Sequence, residues 1–327
     1  MLCILYVSAV GALLCVAGQL VERLLPATSS RRWVWCTAIP LSIALPGFYR
    51  TFHNWTIAER VGQQSTAPSL TSWPTAIGLN PFDATWWARA ESYDSRVSQL
   101  WLIVSGILLI WGVVNSIRLS ELLDQSLRNY ADRDKPHAVD GIPIVVTDQI
   151  GPATTGLLRS RVVIPRWVLA LPAPERRYVL RHEEEHRRAH DAHLLFLASL
   201  TILLMPWNLA LWWQLRRLHL AIELDCDNRV VAALGDANAY GESLLKIAQT
   251  ATRRPRIQPA FLGGVGMLER RLNALLAPAP LRRLQRLLLS VVAMALFFLV
   301  FWMPHPILGP CAAAKSTSSA HTAARSN

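Results

Sequence analysis

Apolar residues in this chain fall into long blocks separated by short arginine-bearing connections. Residues 2–20 are almost wholly apolar, close to the ~20 needed to cross the hydrocarbon of a bilayer. No basic stretch precedes them and Arg23 follows, which predicts a retained first span rather than a cleaved signal peptide. The connection 21–32 carries Arg23, Arg31 and Arg32, and a second apolar block at 33–48 is interrupted by Pro40 and Pro46. Residues 50–97 are mixed and polar, with Pro68, Pro74, Pro81 and the pair Trp86-Trp87, and read as a loop with an interfacial segment. A third block, 100–117, stops at Arg118, and the last, 287–303, precedes a small-residue tail that reads as disordered.

The pattern changes between the third and last blocks. From Leu119 the chain turns amphipathic, and 121–133 predicts a helix continuing out of the membrane. The β-branched runs 142–147 and 162–164, with Gly151, Pro152 and Gly156 between them, predict two strands. Pro172-Ala-Pro-Glu175 then has the proline and first-turn acid of a helix start. Residues 193–215 are apolar again but contain Pro206 and Asn208, and a proline removes a hydrogen-bond donor and bends a helix. Helical segments are expected at 230–234, 239–252 and 267–272, with a basic linker at 253–256 and a turn at Gly263-Gly-Val-Gly266. Those glycines have no strand before them and no phosphate-loop lysine after them, which excludes a nucleotide site of that kind.

The helix expected after Pro172 carries Arg181-His182-Glu183-Glu184-Glu185-His186-Arg187-Arg188. Its H-E-x-x-H pattern places two histidines one helical turn apart, where both can reach one metal ion. Glu183 sits beside them, placed to take a proton from an activated water. A catalytic zinc keeps three protein ligands and an open position for water, whose pKa it lowers toward ~7. The position ten beyond His182 is Ala192, and His190 and His193 miss that register, so a third histidine of that type is excluded. Glu223 supplies the remaining ligand type, and Asp227, four residues on, shares its helix face and can fix a ligand histidine's tautomer. Asp191 reads as a structural hydrogen-bond partner near the end of the motif helix, and Cys226 as packing. Glu184 is expected to point away toward Arg181 or Arg188, and Glu185 to lie closer to the site, where like-charge repulsion would act on Glu183.

Composition sharpens this picture. The chain has 327 residues, 52% of them hydrophobic, and 13 tryptophans, which belongs to a membrane protein. Its formal charge of +11 lies beside apolar blocks, at Arg31 and Arg32 and at Arg282, Arg283 and Arg286. That placement indicates topology and anionic lipid headgroups as partners, and with no nucleic-acid motif present, no direct nucleic-acid partner is expected. The positive-inside rule puts the N-terminus outside, the 21–32 connection inside and the H-E-x-x-H region in the cytoplasm. Glu223 must then lie on the same side as the histidines, so 193–215 is expected to form a re-entrant or interfacial hairpin bending near Pro206, rather than a span. Five scattered cysteines give neither a disulfide framework nor a metal knuckle.

With Asp191 five residues after His186, Pro206-Trp-Asn208, Trp212 and Glu223-x-x-Cys226-Asp227, the chain resembles the BlaR–MecR family of integral-membrane zinc metallopeptidases. Gly156, Ile164-Pro165 and Met267-Leu-Glu-Arg-Arg271 extend the resemblance over 142–276. It implies His182, His186 and Glu223 as zinc ligands, Glu183 as base, and a cytoplasmic or membrane-associated regulatory protein, such as a transcriptional repressor, as substrate. The expected fold is a mainly α multi-pass membrane protein with a small α+β zincin-like metallopeptidase domain. It divides into a three-span region 1–118, the peptidase domain 119–285, a last span 286–303 and a tail 304–327, in a bacterial-type cell membrane. Only about two dozen residues follow the last span, so no β-lactam sensor domain is expected. The alternatives are a catalytically silent membrane regulator or scaffold, and a prenyl-protein-type membrane peptidase.

Overall fold

A computed structural model describes residues 2–26, 29–45, 84–131, 138–147, 151–156, 160–252, 265–276 and 283–302. Helix α1 (Leu2–Leu24) is followed by α2 (Arg32–Leu45) and by the long α3 (Ala84–Ala131). Among the described residues three helices are long and apolar enough to cross a membrane, through windows Tyr6–Leu24, Gln99–Arg118 and the start of α10 (Arg283–Trp302), Arg283–Val300. In α3, Leu100, Ile103, Ile107 and Ile110 are each more than half exposed. A continuous apolar surface of that kind is tolerable only against lipid, and the chain is a membrane protein.

The membrane region differs from the sequence expectation in one place. Over its described residues helix α2 runs Arg32–Leu45 with Pro40 inside it, and 46–48 of the expected second span lie outside the described residues. Residues 84–97, expected as loop, are the first turns of α3, which then runs unbroken to Ala131. The rest of that loop, the tail from Pro304, the 253–256 linker and Gly263-Gly264 also fall outside the described residues, while Val265 and Gly266, expected in a turn, begin a helix.

A four-stranded sheet follows: β1 (Ala138–Val139), β2 (Ile142–Val146), β3 (Ala153–Thr155) and β4 (Arg161–Ile164), in the order β1-β2-β4-β3. Asp140 and Gly141 both have positive φ (53° and 79°), the conformation a two-residue hairpin with the native strand twist demands. Strands β2 and β4 run parallel, and β3 joins β4 antiparallel as an edge strand. After the short α4 (Arg166–Leu169), helix α5 (Ala173–Ala189) packs Val179 and Leu180 against Ile144, Val146, Val162 and Ile164.

Helix α5 ends at His190, whose left-handed φ of 56° turns the chain sharply, and α6 (Asp191–Leu204) starts at the next residue. The apolar stretch breaks over Met205–Asn208, after which α7 (Leu209–Leu234) packs back on α6 and on α5. Asn208 is fully buried and caps α7, its Oδ1 accepting from Ala210 N at 3.1 Å. Residues 230–234, expected as a separate segment, are the last turns of α7, which stops at Gly235 with φ +89°. Helix α7 touches α1, α5, α6 and α9, so it is buried nearly all round. Helices α8 (Ala237–Thr252) and α9 (Val265–Leu275) close over its far half.

A buried polar set ties α1, α2 and α7 together. Gln214 donates to Gly11 O at 3.1 Å and to Ser42 Oγ at 3.0 Å. Trp35, fully buried, donates its indole N–H to Glu22 at 3.0 Å, and Arg217 reaches the same carboxylate oxygen at 2.6 Å. These hydrogen bonds offset the cost of burying the polar groups and fix the register of three helices.

Candidate metal centre

Helix α5 presents His182 and His186 on one face, their Nε2 atoms 3.2 Å apart. From α7, Glu223 brings Oε2 to 3.5 Å from His182 Nε2 and Oε1 to 3.7 Å from His186 Nε2. Zinc bonded tetrahedrally at about 2.0–2.2 Å sets its ligand atoms about 3.3–3.6 Å apart, and the three separations, with one Glu223 oxygen toward each ring, lie close to that range. The three side chains are 13–14% exposed, whereas Asp191 and Asp227 behind them are sealed at 3% and 2%. An ion held there keeps an approach from solvent.

The hydrogen bonds behind the rings decide the tautomers. Asp191 Oδ2 lies 2.8 Å from His186 Nδ1 and, as a carboxylate, can only accept, so Nδ1 carries the proton and Nε2 presents its lone pair. The left-handed turn at His190 is what folds Asp191 back onto the preceding helix. Asp227 does not reach His182 directly: its Oδ1 is 3.6 Å from Nδ1. Tyr240 of α8 stands between them, donating to Asp227 Oδ1 at 2.6 Å while its oxygen lies 3.0 Å from His182 Nδ1. Burial and the facing Asp227 raise the Tyr240 pKa well above its ordinary value, so the phenol stays protonated and its oxygen accepts from the imidazole.

Arg271 of α9 closes the centre, giving Nη2 and Nε to Asp227 at 2.7 and 2.8 Å and Nη1 to Glu223 Oε2 at 2.9 Å. Burial would raise the Glu223 pKa, but the Arg271 charge and the two histidines outweigh it and hold the carboxyl well below its usual range. Burial disfavours a charged His182, yet the Cys226 sulfur and Glu223 outweigh that and push it up to about 10.

Cys226 is not remote packing. Its Sγ is fully buried 3.3 Å from His182 Nδ1, and the ligand atoms of His182, His186 and Cys226 all lie within 4.8 Å of one another. Glu223 also faces the pair, from the other side of the rings. The Nδ1 atoms are committed to Tyr240 and Asp191, and it is the Nε2 atoms that face the Glu223 carboxylate. The spacing pattern missed Tyr240, Arg271 and His219, whose Nε2 is 3.6 Å from Glu223 Oε1.

Glu183 lies beside the histidines and is buried, with Thr154 of the β3 edge donating to its backbone oxygen at 2.7 Å and lying 3.2 Å from its Oε2. Glu185, expected to repel Glu183, is itself charge-paired. Arg181 at 2.6 Å and Arg229 of α7 at 3.1 Å hold that carboxylate. Glu184 faces away and is clasped by Arg187 through two 2.7 Å bonds and by Arg188 at 2.8 Å, pairings that depress its pKa.

A model of the family described as BlaR1 peptidase M56 matches residues 1–275. The chain belongs to that family. The match takes in the N-terminal helices as well as the α5–α9 centre, so membrane region and peptidase region form one family unit. M56 proteins are membrane peptidases, typically metal-dependent, and His182, His186 and Cys226 of this chain form a group that could hold a metal ion. No curated protein matches the chain.

Proposed function

We propose that this M56 protein is a membrane-embedded zinc metalloendopeptidase that cleaves a cytoplasmic or membrane-associated regulatory protein. The observation that carries the reading is the triangle of His182 Nε2, His186 Nε2 and the Glu223 carboxylate, with Glu183 beside it. Zinc supplies a Lewis acid that polarises the scissile carbonyl and acidifies a water. Glu183 accepts the water's proton on its carboxylate and passes it to the leaving amine, and Thr154 restrains its position. The β3 edge supports the substrate as an added strand, since Thr154 ties that edge to Glu183 and carries an extended peptide past the base.

Orientation follows from the packing around Asp225. That residue accepts from Ser30 Oγ at 2.7 Å and from the backbone of Arg31 and Arg32, while Arg32 reaches Asp191 at 2.7 Å. The α1–α2 connection therefore faces the same side as the metal centre, and its arginines favour the cytoplasm with the N-terminus outside. The 193–215 stretch then enters and leaves on that side as a re-entrant hairpin.

The test uses purified full-length protein with zinc and a casein-type substrate or a candidate repressor. Cleavage is expected to disappear with a chelator and with Glu183→Gln, while Glu183→Gln still binds one zinc. Cleavage that survives both treatments refutes the assignment, and zinc binding without cleavage by the parent protein makes it a silent regulator.

A further inference from the structure

A second concave site lies away from the metal centre, where the last turn of α1 meets α7 and α9. It is a cavity of about 470 Å³ lined by Glu22, Arg23, Arg31, Arg217 and Arg270, over a floor formed by Trp213, Leu220 and Leu224. Its volume lies within the ~300–1,000 Å³ of small-ligand pockets. Four arginines face one carboxylate, and that carboxylate is already taken, since Glu22 accepts from Arg217 and from Trp35. Among the described residues the guanidinium groups of Arg23, Arg31 and Arg270 form no ion pair, the bond of Arg31 to Asp225 coming from its backbone. The Nε atoms of Arg31 and Arg217 are buried without an acceptor. Such a concentration of cations in a concavity is unfavourable unless an anion completes it.

The position of the cavity identifies the anion. Arg23 stands at the end of the apolar window Tyr6–Leu24, so the arginines sit at the boundary between hydrocarbon and water. The Arg217 guanidinium lies 5.8 Å over the buried Trp35 ring and 5.7 Å over Trp213, cation–π contacts that hold it at the inner wall of the cavity. Arginine matches phosphate oxygens bidentately, and the apolar floor suits a glycerol backbone and the start of acyl chains. We infer that this cavity is a binding site for the phosphate headgroup of an anionic membrane phospholipid. Its occupant would stand between the membrane helix α1 and α9, whose next residue, Arg271, holds Glu223 and Asp227. The inference stands on the cavity and the membrane region and does not depend on the hydrolytic reading.

Native mass spectrometry and thermal melting of the full chain in neutral detergent test it, with phosphatidylglycerol, phosphatidylcholine and soluble glycerol phosphate as probes. Phosphatidylglycerol is expected to be retained and to raise the melting temperature, and the other two are not. Arg23 and Arg270 are exposed and make no internal ion pair with the described residues, so Arg23→Gln with Arg270→Gln leaves the fold intact. That double variant should bind more weakly by roughly five-fold per arginine removed. Arg286→Gln, a belt arginine on α10 outside the cavity, should bind as the parent does. Equal loss with Arg286→Gln, unchanged retention in the double variant, or equal retention of phosphatidylcholine overturns the site. The full melting shift from glycerol phosphate alone overturns the lipid assignment.

Discussion

Two buried carboxylates stand behind the histidines by different routes, and the difference predicts unequal consequences. Asp191 bonds His186 directly, and a carboxylate that orients a metal-binding histidine in this way is worth about 10–100-fold in metal affinity. Asp191→Asn is therefore expected to weaken zinc binding within that range in a competition titration. Tyr240→Phe removes the bridge to His182 but leaves Asp227 held by Arg271, so its loss should be smaller. An equal or larger loss for Tyr240→Phe would mean the phenol acts on the ion itself.

The metal-free ring of His182, pushed up to about 10, is protonated at neutral pH, whereas a ligand imidazole must be neutral. Zinc uptake must then release a proton, and affinity must rise with pH below that value, by about tenfold per unit for each proton displaced. Calorimetry in buffers of different ionisation enthalpy between pH 6 and 8 reads this directly. An affinity independent of pH would show that the ring is already neutral.

At the scale of elements, the close approach of α1 to its neighbours depends on two glycines. A Cβ on Gly18 would stand 3.0 Å from the Trp35 ring, and one on Gly11 would stand 3.1 Å from the Ala210 Cβ. Trp35 cannot retreat, because it is fully buried and its indole is tied to Glu22. Gly18→Val is expected to destabilise the protein by about 1–3 kcal/mol, as overpacking of a filled contact does, and a melting curve in detergent checks it. Unchanged melting would mean that α1 and α2 are free to separate.

The same scale explains what could be read from the sequence. Long apolar blocks and the period of α5 were legible because each repeats a pattern over many residues. Strands β1 and β3, two and three residues long, have too few positions to show alternation. Asp191 was within reach because it follows His186 by five residues. Tyr240 and Arg271 come from separate helices, and Arg271 lies within Glu269-Arg-Arg271 on an amphipathic helix, where it looks like any solvated arginine. Only the packing of α8 and α9 over α7 brings both to the ligands.

For the whole molecule, catalysis and topology constrain one another. Glu223 can meet the histidines of α5 only if α6 and α7 return the chain to the side it left, and the break at Met205–Asn208 provides that return. Each arm is too short to cross ~30 Å of hydrocarbon before the polar residues of α7 begin. Single cysteines at the exposed positions Arg177 and Arg216 should therefore be labelled from the same side. If the active site is cytoplasmic, as proposed, a membrane-impermeant thiol reagent should reach both only after cells are opened, and should reach Asn54→Cys, in the stretch of chain between α2 and α3, in intact cells. Leu209, 79% exposed at the bend, should react slowly from either side, because in a hairpin it rests in lipid. Labelling of Arg177→Cys and Arg216→Cys from opposite faces would make 193–215 a true span. Glu223 would then be separated from His182 and His186 by the full bilayer, and the triangle that defines the metal centre could not form.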